Sequence, residues 1–421
     1  MRMSALGSLV VLGSVAGLNP AWGADTSVES LKAQIDALSK KVGELEAKEE
    51  KSEPFAGVSI GGRLQLDYNL FDGAYNANHQ GHTGSDLFAR RARLFAEKES
   101  GDWDYKLLLE FAEDGAEITM ARLQYKGFNG GPVIKLGKIR EDISLEALSS
   151  SKYITTIERS NLADTFSPYF RWGVAAYQYF PTSKVRYAIG VYKNDAFGDS
   201  GKNKNNNLDL ATTGRLTWAP IQGDGKTLHF GLWGSYREMG GDTLSSAFAR
   251  GEVRETSVKL ADYAAGGETV AIDHLTQYGL EAAGQWKAFS LQGEFAQRQL
   301  HTTDTTSPLD GQHYNGYSVT ASYFLTGEQR QYKAGSAVFS QPKGVKNAWE
   351  LYGRVSGMDA ASDTQGTKVT SYTLGSSYYY SPQVKLMLNL IHSKVGGPGR
   401  AALVGDEDTG NALTFRTQYL F

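Results

Sequence analysis

The sequence contains no cysteine, so neither a disulfide framework nor a thiolate metal site is open to it. Proline is scarce, with 10 residues in 421, which leaves few interruptions for extended segments. Long apolar runs are missing as well. Beyond Leu18 nothing approaches the ~18–20 apolar residues of a spanning helix. Charge of one sign is also lacking. A formal net charge of −3 excludes the broad basic footprint of a nucleic-acid-binding protein, and no nucleic-acid partner is expected. If such a chain enters a membrane, it must do so as a closed barrel, because lipid tolerates no unpaired backbone groups.

What is present fits that option. Forty-eight glycines, 23 tyrosines and 18 phenylalanines describe many turns and many aromatic strand ends. A mean hydropathy of −0.38 suits strands that show apolar side chains to lipid only at alternate positions.

The first residues read as an address. Arg2 gives a positive start, Leu6 to Leu18 form an apolar run of signal-peptide length, and Ala21-Trp22-Gly23 offers small residues for cleavage. A signal peptide is therefore expected over 1–23. Val28, Leu31, Ile35, Leu38, Val42 and Leu45 then follow a 3,4 spacing, which predicts a coiled-coil helix over 24–47 on the periplasmic side. β-branched a positions with Leu at d favour a dimer by coiled-coil rules, although so short a seam decides little. Residues 48–54 read as a charged linker.

From Phe55 the period changes to two. Val58, Ile60, Leu64, Leu66, Tyr68 and Leu70 share one face, while Arg63, Gln65, Asp67 and Asn69 share the other. Trp103, Tyr105, Leu107 and Leu109 repeat the pattern opposite Asp104, Lys106 and Glu110. Tyr177 and Tyr179, Leu291 and Phe295, and Tyr317 to Tyr323 continue it. Leu413, Phe415, Tyr419 and Phe421 end the chain on one parity, like the strand that bacterial assembly machinery reads in outer-membrane barrels. Some 365 residues at roughly 23 per strand and connection predict about 16 strands over 55–421. The expected fold is all-β, an antiparallel transmembrane barrel with outer-membrane lipid as its surroundings.

Arg140 to Trp172 breaks the alternation and carries Ser149-Ser150-Ser151-Lys152, Arg159 and Arg171. Its Ile143, Leu145, Leu148, Tyr153, Ile154, Ile157 and Phe166 make it too apolar for a solvated tail. It reads as an inward loop near 140–172 that packs on the wall and narrows the pore. Parity places Arg63, Glu110, Arg91 and Arg93 on the lumenal face. Arg90 and Arg91 are adjacent and cannot both point inward on a regular strand, so Arg90 requires a bulge, a subunit contact or a side chain that reaches round. No nucleophile–base–orienter set stands out among the seven histidines, so an enzyme is not expected. His79 and His82 read as exposed loop residues rather than metal ligands, and neither cofactor nor metal is expected.

The segments GGRLQLDY (61–68), ARRARLF (89–95), GDWDYKLLLEF (101–111), SLEALSSSKYITTIERS (144–160), SYFLTGEQRQYK (322–333) and NAWELYGRV (347–355) resemble the phosphate-selective porin O/P family across the whole barrel. That resemblance implies a 16-stranded outer-membrane porin, a homotrimer, and passive diffusion of small anions such as phosphate or pyrophosphate past an arginine-lined constriction. A trimer would also employ the heptad helix as a short three-stranded coil, against the dimer preference of its seam. Carried onto this chain, the anion site falls on Arg63, Arg90, Arg91, Glu110, Ser150, Ser151 and Arg159. Glu110 stands where the family typically has aspartate, and would position arginines or accept a proton from partly protonated phosphate. Ala147 replaces a family lysine, while Arg93 and Arg140 replace aromatics, so positive charge is redistributed. Arg250 and Arg254 resemble the remnant of an arginine-bearing lumenal loop, with simple solvation the alternative. A broader porin for organic anions or other polar solutes is the second reading, and a structural barrel the third.

Overall fold

The computed structural model describes residues 57–112, 115–198 and 208–421, together with Ala33, Asp36, Ala37, Ser39, Lys40 and Lys41. Those six early residues are helical and exposed. The signal segment, the heptad seam residues and the linker expected above lie outside the described residues. The barrel belongs to a compact unit running from Val58 to Phe421.

Strands β1 (Ser59–Phe71), β2 (Gly84–Ser100), β3 (Trp103–Glu110), β4 (Glu117–Tyr125) and β5 (Val133–Arg140) precede the longest interruption. They are followed by β6 (Phe170–Phe180), β7 (Val185–Lys193), β8 (Leu210–Gly223), β9 (Lys226–Thr243), β10 (Ala247–Ala249) and β11 (Ala261–Asp262). Next come β12 (Ala271–Trp286), β13 (Phe289–Thr302), β14 (His313–Phe324), β15 (Gln331–Lys333) and β16 (Val338–Ser340). The chain closes with β17 (Ala348–Asp359), β18 (Lys368–Tyr379), β19 (Val384–Gly396) and β20 (Thr409–Leu420). Sixteen of these form one closed antiparallel barrel in sequence order, with β20 pairing back onto β1. The remaining four make two small hairpins, β10–β11 and β15–β16.

The wall is built apolar-out. Ile60, Leu64, Leu66 and Tyr68 of β1 are exposed, while Arg63, Gln65, Asp67 and Asn69 between them are buried. Side chains alternate across a strand, so this parity assigns the first set to lipid and the second to the lumen. Trp103, Phe180, Trp218, Trp286 and Phe289 are exposed near the short-turn ends of their strands. They form an aromatic girdle of the kind that marks a membrane–water boundary. Parity is not a guide everywhere. Tyr177, read with the apolar faces above, pairs with Ala188 and carries Lys135 and Arg186 against its ring, so it faces the lumen.

Three connections fold inward. The first, 141–169, is the interruption anticipated from the sequence, and its apolar residues Ile143, Leu162, Ala163 and Phe166 are fully buried. The second, 244–270, carries β10 and β11 and contributes Phe248, Val253, Leu260 and Tyr263 to the same apolar cluster. Wall residues Trp233, Leu275, Leu300, Tyr314, Met358 and Ile391 complete that cluster, which fills one side of the lumen. The third, 325–347, lies on the end where β1 begins and β20 ends, where turns are ordinarily short. Its hairpin enters the lumen: Arg330 donates to the Tyr153 carbonyl at 2.9 Å, and Tyr332 meets His229 at 2.8 Å.

Candidate functional site

The loop 141–169 is held in place by charge rather than by regular structure. Non-glycine residues at positive φ stand near its ends, Ser144 at 64° and Tyr169 at 59°, a conformation that persists only where its surroundings enforce it. Glu294 of β13 supplies the enforcement at one end. Its carboxylate accepts from the Leu145 and Glu146 amides at 2.9 and 2.8 Å, at the start of the one-turn helix Leu145–Leu148. Such charge-assisted bonds to otherwise orphaned amides contribute about 1.5–3 kcal/mol each. Glu146 in turn accepts from Arg354 at 2.8 Å and from the Ser160 hydroxyl at 2.6 Å, and Ser160 caps the next short helix, Asn161–Phe166.

Glu158 is the second anchor. Arg90 reaches it with two bonds of 2.8 and 3.0 Å, Arg416 at 2.6 Å and Arg254 at 3.1 Å. Burial alone would raise the Glu158 carboxyl. Arg90, Arg254 and Arg416 outweigh it and hold the group well below the usual carboxylate range. Arg90 gets there through a β-bulge. Gln65 pairs with Arg91 and Leu66 with Ala89, so Arg90 is the extra residue of β2. The bulge lets two consecutive arginines both reach the lumen, which resolves the conflict that regular alternation creates.

The sequence-predicted residues then divide about the turn Ser150-Ser151. Arg90, Arg91, Ser151, Arg159 and Arg254 line a chamber of about 270 Å³ on the side of loop 244–270. Arg63 and Ser150 line a cavity of about 360 Å³ on the side of the β15–β16 hairpin. Arg93 and Arg140 line both. Ser151 accepts from Arg63 at 2.7 Å, and Gln65 donates to its carbonyl at 3.2 Å, which fixes the turn between the two spaces. Arg250 lines neither.

The partners of these arginines decide what they are free to do. Arg93 is tied to Glu110, whose other oxygen accepts from the Ala92 amide at 2.8 Å. Glu110 is thus engaged at both oxygens, which positions Arg93. Arg254 is neutralised by Asp164 at 2.7 Å and Glu158, so simple solvation does not describe it. Arg140 and Arg159 point at the carbonyl end of the one-turn helix. Arg140 donates to Leu148 at 2.7 Å and Arg159 to Ser149 at 2.8 Å. Ala147 lies between them, fully buried in the apolar cluster. A cation at 147 has no place in that packing, whereas one at 140 is satisfied by carbonyl dipoles.

Among the described residues, Arg63, Arg91, Arg140 and Arg159 have no carboxylate partner. The Nε atoms of Arg91 and Arg140 are buried without any hydrogen-bond acceptor. Lys152 adds to the excess. Burial first, then Arg63, Lys106 and Lys333, lower its ammonium to about 8. A confined surplus of guanidinium and ammonium donors beside two serine hydroxyls is suited to a small oxyanion, which supplies the missing charge and acceptors together.

A model of the phosphate-selective porin O and P family matches residues 58–421. The chain belongs to that family. It is 29% identical to Porin O of Pseudomonas aeruginosa over 403 residues, covering 86% of this chain and 88% of that protein. Among solved structures, an anion-selective porin from Comamonas acidovorans shares the fold with a TM-score of 0.55 at 14% identity, covering 86% of this chain and 99% of that one. The trimer form of OmpT from Vibrio cholerae shares it with a TM-score of 0.53 at 10% identity, over 86% and 99% of the two chains. The protein is an outer-membrane anion porin.

Sequence reasoning placed the inward loop and the lumenal faces of Arg63, Arg91, Arg93 and Glu110. It named Lys152 only as part of the Ser-rich turn, and it missed Glu158, Glu294 and Arg416, which hold the constriction. Of the three missed, Glu158 carried a signal, as half of the Glu158-Arg159 pair in the quoted ERS segment.

Proposed function

We propose that this porin passes inorganic phosphate and related small oxyanions through the gap beside the Ser150-Ser151 turn. The carrying observation is the surplus of Arg63, Arg91, Arg140 and Arg159 over carboxylate partners at one level of the pore. An anion arriving from the 270 Å³ chamber meets Arg91 and Arg159, and Ser151 offers a hydroxyl donor. Arg93 and Arg140 line both spaces, so they hold the anion while its remaining contacts change from Arg91 to Arg63. Conduction requires that this binding favour entry yet permit exit. Both properties follow if no step leaves the anion without two guanidinium partners. Glu158 limits the depth of the well, because it withdraws Arg90 and Arg254 from the anion.

A homotrimer accords with the trimer form of the Vibrio cholerae relative. The periplasmic coil expected over 24–47 would join three such barrels, and the signal segment over 1–23 would export them.

Planar-bilayer conductance with phosphate titrated into chloride tests the reading. Phosphate is expected to reduce chloride current at concentrations well below that of the chloride. Replacing Arg63 and Arg91 together with alanine is expected to raise the blocking concentration at least about tenfold, from two lost charged hydrogen-bond partners. Absence of block in the unaltered channel removes the phosphate site and leaves a general anion pore.

A further inference from the structure

The cavity of about 360 Å³ between the Ser150-Ser151 turn and the β15–β16 hairpin is not uniformly charged. One rung of its wall is apolar and continuous. Phe95 of β2 pairs directly with Leu108 of β3, and Leu108 pairs directly with Met120 of β4. All three have lumenal parity and line the cavity. Charged rungs flank them, Arg93 with Glu110 on one side and Glu97, Lys106 and Arg122 on the other.

Packing does not account for this rung. Elsewhere in the lumen, apolar side chains are consumed in clusters under the inward loops, but Phe95, Leu108 and Met120 belong to none of those clusters. They border the cavity instead. Room for the Phe95 ring is made by Gly61 on β1, where a Cβ would stand 2.7 Å from the ring and 2.7 Å from the Phe421 carbonyl. Cations border the ring. The Lys106 ammonium lies 4.5 Å from its centroid and that of Lys152 lies 6.0 Å away. Lys152 has no carboxylate partner among the described residues, and Arg63 lines the same space.

We infer that this cavity is a subsite for small organic anions with a flat apolar body, namely aromatic carboxylates and aryl phosphates. The body lies along Phe95, Leu108 and Met120, and the anionic head meets Arg63 and Lys152, while Glu97 holds Lys106 against the Phe95 ring. The cavity falls within the ~300–1,000 Å³ of small-molecule sites, and it pairs an apolar wall with a few convergent charges as such sites do. An inorganic oxyanion gains nothing from the apolar rung. An aromatic one gains the transfer of its ring from water, so the porin discriminates among anions by their bodies as well as their charge. This rests on the anion-conducting reading for delivery of the ligand, and adds recognition that phosphate does not use.

The test compares benzoate with acetate, and phenyl phosphate with inorganic phosphate, as blockers of chloride current through the full-length porin. Each aromatic anion is expected to block at about tenfold lower concentration than its small counterpart, the value of burying most of a phenyl ring. Phe95→Ser with Met120→Thr is expected to erase that difference and leave the inorganic phosphate block unchanged. Met120→Thr alone is expected to reduce it about threefold, and serves if the double variant does not assemble. Equal block by benzoate and acetate in the unaltered channel overturns the inference, as does an equal weakening of all four anions in either variant. If benzoate blocks strongly while inorganic phosphate does not, the phosphate reading fails and the subsite stands.

Discussion

The two sides of the lumen use the same kinds of residue to opposite ends. On the side of β9, β12–β14 and β17–β19, the inward loops lay their apolar residues against the wall, and the charged groups there are engaged by carboxylates, helix-end amides or aromatic rings. Arg354 serves Glu146 and Glu252, Glu294 caps a helix, and Arg298 is enclosed by Phe166, Phe197 and Phe248 with ring centroids 4.3–5.3 Å away. On the side of β1–β5, the loop's other face meets open space, and guanidinium groups outnumber carboxylates in the lining of both cavities. The dry side therefore works as a clamp and the wet side as a filter. A pore of this diameter cannot select by its wall alone, because 16 strands enclose a wide channel. Selectivity becomes possible when half the lumen is solid and presses a charged turn against the other half.

The largest effect should come from breaking the clamp. Phe166 is fully buried at the heart of the apolar cluster, 6.4 Å from the Trp233 ring. Truncating it to alanine removes about 3–5 kcal/mol of packing from a loop that has no regular structure to fall back on. Single-channel conductance should rise and anion preference should fall together, with the barrel itself still assembled. Unchanged conductance would mean that the salt bridges at Glu146 and Glu158 hold the loop without the apolar face.

The comparison sharpens when one arginine is removed from each side. Arg354→Ala strands Glu252, a buried carboxyl that burial already raises against the pull of Arg354. Leaving such a group unpaired costs about 3–5 kcal/mol, so this variant should lower the melting temperature and widen the pore. Glu158→Gln on the filter side loosens an anchor too, but its distinguishing effect should be on the anion. It frees Arg90 and Arg254 to meet the anion, so phosphate should block at lower concentration while conductance drops through slower exit. If both variants changed stability alike and left phosphate block alone, the division into clamp and filter would be wrong.

Much of this was legible in the sequence, for a physical reason. Lipid demands alternation on every strand, so Arg63, Arg91 and Glu110 could be assigned to the lumen from parity, and the break at 141–169 stood out against it. Tyr177 was misread because a lumenal tyrosine that carries cations looks like a lipid-facing one. Arg140 and Arg159 were legible as charge but not as helix-end donors, since a one-turn helix leaves no periodicity to find. The hairpin at 325–347 was visible only as the segment LTGEQRQYK, without a role. Its inward course depends on partners such as His229 and Tyr153, which are remote in sequence and close only in the closed barrel.

The smallest expected effect separates the filter's arginines from a titratable charge on its loop. Arginines stay protonated at any working pH, whereas Lys152 is lowered to about 8 by burial and by Arg63, Lys106 and Lys333, with Glu97 opposing. Its positive charge is present below that value and lost above it, so anion preference should decline as pH rises from 7 to 9.5. One charge among several arginines should shift the permeability ratio by less than about twofold at physiological salt. Reversal potentials in a salt gradient read this directly. Lys152→Met should give the high-pH value at every pH, and Lys152→Arg the low-pH value at every pH. A pH dependence that survives in Lys152→Met would assign the titration to another group. If it vanishes, Lys152 is the titrating part of a filter whose arginines keep their charge.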